Sequence, residues 1–206
     1  MRKLLLGLSC VAVIGLTSCL GDSDDNNQGL TPQEVSQCYN AIKGSYTGKL
    51  LCEINNPDDP KDYVDTLDIA WSVTSDTMVV INRFPQAVIL DRIADNQIKE
   101  ALQEADPAPL RAQIAFYNVS PLSFLLYPYS VEYDIDLDGE AHKAVLSFWV
   151  NTYSFGQYSS TEQIFRMQFM IAGLFLDKNT TRNYLTNAAY DNSTIPIIIT
   201  SAHLNK

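Results

Sequence analysis

The feature that most narrows the fold is the alternation in residues 131–137, where Tyr133, Ile135 and Leu137 are apolar and Glu132, Asp134 and Asp136 are acidic. A period of two marks a strand with one face buried, and this one runs into Asp138-Gly139, a dipeptide suited to a tight hairpin turn. Such a strand needs partners. Residues 122–127, 143–153, 163–176 and 195–202 read as further strands, separated by turn chemistry at 138–139, 154–160 and 177–183. Ahead of them, residues 45–54, 63–73 and 77–82 form an antiparallel meander. Tyr46, Gly48, Leu50, Cys52 and Ile54 share one face of its first strand.

Two helical stretches interrupt the strand pattern. Thr31-Pro32-Gln33-Glu34 is a capping box with proline at the first helical position, and Val35, Cys38, Tyr39 and Ile42 follow at helical spacing before Gly44. A helix is therefore expected over residues 32–43. A second apolar stripe, Leu90, Ile93, Ala94, Ile98, Ala101, Leu102 and Ala105, predicts one helix over 86–105, ended by Asp106-Pro107-Ala108-Pro109. Residues 110–119 fit a short helix or a strand equally well. The expected fold is mainly β, of α+β type: an antiparallel barrel or sandwich with two packed helices, in one domain over residues 31–206.

The first residues carry an address. Arg2 and Lys3 precede an apolar run over residues 4–16, which is too short for the roughly twenty residues that cross a bilayer as a helix. Leu16-Thr17-Ser18-Cys19 ends it and resembles the lipobox of bacterial lipoproteins. That resemblance implies a signal peptide over residues 1–18, cleavage before Cys19 and a lipid on its thiol. Residues 19–30 would then be the anchor and a flexible, acidic tether. Within it, Ser23-Asp24-Asp25 resembles the export signal that sends Bacteroidetes lipoproteins to the outer face of the outer membrane. Together with the strand pattern, this resembles the surface lipoprotein families of gut Bacteroides, and the membrane is the partner it implies.

Charge and cysteines set further bounds. Loss of Arg2 and Lys3 with the leader would take the net charge from −10 to −12, which repels a phosphate backbone, so nucleic acid is not an expected partner. Cys10 leaves with the leader, so Cys38 and Cys52 are the two cysteines left to the folded domain. Helix and strand rises place them at least roughly 17 Å apart, beyond disulfide reach, and two buried free thiols are expected.

No catalytic signature emerges, and no cofactor is expected. His142 and His203 lack a zinc-ligand spacing, and the chain has neither a Gly-x-Ser-x-Gly elbow nor a phosphate-binding glycine loop. Asp134, Asp136 and Asp138 with Gly139 match the opening of a calcium loop. Its twelfth position, however, is Val145 instead of a bidentate glutamate, and the strand alternation explains the same residues.

The aromatic residues are more suggestive. Ser147, Trp149, Asn151 and Tyr153 share one face of the 143–153 strand, Tyr158 lies in the turn after it, and Tyr127 and Tyr129 flank Pro128 in a loop. Flat rings mixed with amides and hydroxyls suit sugar rings, whereas Trp149 would be ordinary core if both sheet faces were covered. The leading expectation is a non-catalytic envelope protein that binds a glycan or another envelope protein. Gly44-Ser45-Tyr46 also resembles the Gly-x-aromatic opening of the calycin, or lipocalin-like, barrels, which implies carriage of a small apolar ligand in a cavity lined by Tyr46 and Leu50. A glycan hydrolase using two of the 24 acidic residues is the third possibility.

Overall fold

The computed structural model describes residues 29–53, 64–75, 78–185 and 195–205. The leader, Cys19 and most of the tether lie outside them. The capping box forms as read: the Thr31 hydroxyl accepts from the Glu34 N–H at 3.3 Å, and the Glu34 carboxylate accepts from the Thr31 N–H at 2.8 Å. It starts helix α1, Pro32–Ile42, which buries Cys38 and Ile42. Ten strands follow: β1 (Gly44–Glu53), β2 (Val64–Ser75), β3 (Met78–Phe84), β4 (Ala108–Val119), β5 (Leu122–Pro128), β6 (Val131–Leu137), β7 (Glu140–Trp149), β8 (Asn151–Ser159), β9 (Ile164–Leu176) and β10 (Ile195–Asn205).

Eight of them close into an antiparallel barrel, in the order β1-β2-β3-β4-β5-β8-β9-β10, with β10 paired back to β1. Closure decides between the barrel and the sandwich. The lumen is filled by side chains from every stave. Tyr46 and Trp71 stack at 5.4 Å, and Phe165 touches Tyr46 at 4.8 Å and Phe124 at 5.6 Å. All four are at most 3% exposed. Gly156 lets the Phe124 ring lie against the β8 backbone, because a Cβ there would come within 2.3 Å of that ring. The lumen is thus packed around Tyr46 and Leu50, where the calycin resemblance implies a cavity.

β9 is long enough to serve two sheets. Its first half pairs with β8, and its second half, from Met170 to Leu176, pairs with β7 on the same side. β6 completes this flange, a β6–β7 hairpin turning at Asp138 and Gly139, which have φ of 57° and 86° as a primed two-residue turn requires. Val131, Tyr133 and Ile135 face inward, where β6 meets helix α2, and Glu132, Asp134 and Asp136 face water. The Tyr133 hydroxyl donates to the Phe84 carbonyl at 3.3 Å, which ties the flange to the end of β3.

Several boundaries depart from the expectation or settle what it left open, among them the strand expected over 143–153, which ends at Trp149. The stripe over 86–105 is not one helix: a 3-10 helix, Gln86–Arg92, is followed by α2, Asn96–Glu104. Ile93 is extended between them, and the Asp95 carboxylate accepts from the Ile98 N–H to cap α2, so local capping overrides a continuous apolar stripe. Residues 110–119, which fit either a helix or a strand, belong to strand β4, whose first half alternates buried and exposed between β3 and β5. Residues 154–159, expected as a turn, are most of β8.

Cys38 and Cys52 are both free and buried, as their separation implies. Burial pushes the Cys52 thiol up to about 11, with Asp65 and Asp91 adding to it. Burial, and then Glu34, raise Cys38 as well, so both thiols stay protonated and unreactive at neutral pH.

Candidate functional site

The expected aromatic surface is built by an interruption. β7 runs along β9 as far as the pair Trp149–Met170, and β8 resumes at Phe155–Gln168. Residues 150–154 therefore stand opposite the single residue Phe169. On the other flank, Leu126 pairs with Asn151 and Leu125 with Phe155, so residues 152–154 are extruded from β5 as well. It is a large bulge, and it re-aims the side chains at its ends.

Ser154 holds the bulge closed. Its buried hydroxyl donates to the Trp149 carbonyl at 2.6 Å and accepts from the Met170 N–H at 3.2 Å, which joins both ends of the insertion to β9. Gln168 adds a bond from its side-chain amide to the Tyr153 carbonyl at 3.3 Å. On this base, Trp149 is 45% exposed and Tyr153 54% exposed, and their ring centroids are 6.2 Å apart. Two large rings facing water side by side are an unusual use of apolar surface, which most chains bury. The sequence offers no local sign of Ser154's role, because the bond partners come from a different strand.

The other expected members divide. Tyr158 is not part of this surface. It is 6% exposed and meets Phe165 at 6.2 Å, because residues 151–159 form a strand whose inward face carries Ser154, Gly156 and Tyr158. Tyr127 and Pro128 belong to β5 instead of a loop, and Tyr127 is half-buried. Tyr129 is 53% exposed, and the neighbouring Ser130 hydroxyl meets that of Ser147 at 3.4 Å, which sets this turn beside β7. Of Asn151, the backbone pairing with Leu126 is what the structure describes.

The acidic hairpin forms as a strand. Asp134 is ion-paired with Lys143, the Asp136 carboxylate accepts from the Gly139 N–H at 2.8 Å, and no group of three metal-binding side chains comes together among the described residues. Nearby, His142 Nδ1 and Asp177 Oδ2 are 2.7 Å apart, and Asp177 also accepts from the Lys143 N–H. The contact with Asp177, reinforced by charges on Glu140 and Asp136, raises His142 above its ordinary value of 6.5. The bond from the Lys143 N–H, and then the one to His142, lower Asp177 below 3.8.

The two shifts define a pH window. The raised histidine stabilises the fold fully below 6.5, and this contribution is lost as pH rises through its folded value. The lowered carboxylate stabilises the fold above 3.8, and this contribution is lost as pH falls through its folded value. In an NMR titration the His142 midpoint is expected above 6.5 and should return toward it in Asp177→Asn. A midpoint that Asp177→Asn leaves unmoved would remove the pairing.

Fold and surface together define a closed eight-stranded antiparallel barrel with a hairpin flange and an outward ring pair where the two sheets part. Residues 41–176 match the model of the family described as Domain of unknown function (DUF4840), and the chain belongs to that family. No curated protein and no solved structure matches the chain.

Proposed function

We propose that this chain is a lipid-anchored protein of the outer membrane, exposed at the cell surface, that binds a glycan without catalysing a reaction. The observation that carries the binding is the Trp149–Tyr153 pair, exposed on a bulge that Ser154 pins to β9. A rigid pair of rings can stack on the apolar faces of sugars at little entropic cost, and Gln168, whose side-chain amide bonds the Tyr153 carbonyl, supplies a hydrogen-bonding group beside them. The anchoring half of the reading rests on Cys19 and the acidic residues after it.

A glycan array followed by calorimetry on the mature chain tests the binding half. Trp149→Ala and Tyr153→Ala should each weaken the best glycan by about tenfold or more, the effect of removing a central aromatic anchor. Ser154→Ala should weaken it too, through the loosened bulge. Binding that none of the three changes would remove the ring pair from the reading. Palmitate labelling of native cells tests Cys19.

A protein partner is the second reading, favoured by a row of outward residues that pair straight across five strands: Leu125, Phe155, Gln168, Ile198 and Leu51. Ile198 is 41% exposed there. Binding of an envelope protein that Ile198→Asp abolishes and Trp149→Ala leaves intact would favour this reading over the glycan.

A further inference from the structure

Among the described residues, one strand has a neighbour on one side only along its whole length. β10 is paired with both β1 and β9, whereas β6, at the other end of the strand order, pairs with β7 alone. The tight turn fixes which of its backbone groups are spare. Leu137 and Glu140, which flank the turn, exchange both of their backbone bonds. By alternation Ile135 does the same with His142 and Tyr133 with Ala144, which leaves the N–H and C=O of Asp134 and Asp136 pointing away from β7. Neither of these N–H groups finds another acceptor among the described residues.

A groove of about 610 Å³ runs along this edge. Five successive residues of the hairpin, 134–138, line it, whereas a groove on one sheet face would meet every second residue. The other wall is a flank of α2, where Gln97, Glu100, Ala101 and Glu104 follow the i, i+3, i+4, i+7 spacing, beside the buried face that carries Ile98 and Leu102. An open strand edge alongside a helix flank, with room between them, is the setting in which an extended peptide joins a sheet.

Charge selects the occupant. The groove is lined by Glu100, Glu104, Asp134, Asp136 and Asp138 and by no Lys, Arg or His, and Glu100, Glu104 and Asp138 are exposed. A second copy of this chain would set Asp134 and Asp136 against carboxylates of its own, and like charges directly opposite each other disfavour pairing. We propose that the edge takes an extended cationic segment of a partner protein as an added antiparallel strand. Lys or Arg opposite Asp134 and Asp136 exchange backbone bonds with them and meet their carboxylates on the water face, and small apolar residues between the cations lie against Ala101 on the α2 side. The charges that guard a bare edge against unwanted pairing thereby choose what joins it. The groove shares no residue with the ring pair or with the row through Ile198, so either can fail without the other.

The probe is an acetylated and amidated heptapeptide alternating lysine and valine, added to the full mature chain and followed by NMR. It should shift the Asp134 and Asp136 amide signals saturably and slow the exchange of both amide hydrogens with solvent. The same peptide methylated on its lysine backbone nitrogens keeps every charge but loses the donors that would face β6, and it should produce neither effect. Glu104→Lys, an exposed change on the α2 wall, should weaken binding of the unmodified peptide about tenfold. Asp134→Pro removes an outward N–H and no bond to β7, and it should abolish the Asp136 protection. No saturable shift at about 1 mM peptide, the weak end of specific recognition, would mean that the edge is guarded and nothing more. Equal binding of the methylated peptide would mean charge attraction without strand addition, and Asp136 protection that survives Asp134→Pro would place the peptide elsewhere. Any of the three overturns the proposal.

Discussion

Replacing Gly48 with alanine is expected to lower the melting temperature by about 10 °C, a loss of roughly 3 kcal/mol. Gly48 sits on the seam where β1 meets β10, at a bulge where the register slips between Thr47 and Gly48. A Cβ there would lie 2.0 Å from the Thr200 carbonyl oxygen and 2.8 Å from the Ser201 Cα. Both neighbours are backbone, so no side chain can rotate away and the two strands must separate. Ser201 also accepts the Phe165 N–H on its hydroxyl at 2.9 Å, so a shift of β10 strains β9 as well. Thermal unfolding of Gly48→Ala within about 2 °C of the parent would mean that the seam is looser than described.

Phe165→Ala should be costlier still, at about 3–5 kcal/mol. The ring touches four others: Tyr46 at 4.8 Å, Phe124 at 5.6 Å, Trp71 at 5.9 Å and Tyr158 at 6.2 Å. Its removal leaves a void that staves fixed by their hydrogen bonds cannot collapse to fill. Against a domain stability of roughly 5–15 kcal/mol, the variant should be partly unfolded near its growth temperature. Denaturant titration reads the effect directly. A loss below about 1 kcal/mol would show that the lumen relaxes freely around the missing ring.

What the sequence disclosed follows the range of the forces involved. The hairpin at Asp138-Gly139 and the capped start of α1 are decided within a few residues, and both were legible. Strand β4 was not, because Ala112 and Ile114 suit either periodicity and pairing with β3 and β5 decides between them. The break at Ile93 was hidden under a helical stripe that Asp95 interrupts by capping. Tyr158 was misplaced because the insertion at 150–154 resets the alternation, and which face a residue takes after it depends on how β9 is paired. The exposure of Trp149 likewise turns on what covers its flank of the sheet, which periodicity does not encode.

One strand, β9, is a stave of the barrel for its first half and the base of the flange for its second. Neither part can melt alone without stripping the other of a hydrogen-bonded neighbour, so the domain should lose its structure in a single cooperative step. The exposed rings sit at that shared joint, where the pairing of β9 passes from β8 to β7.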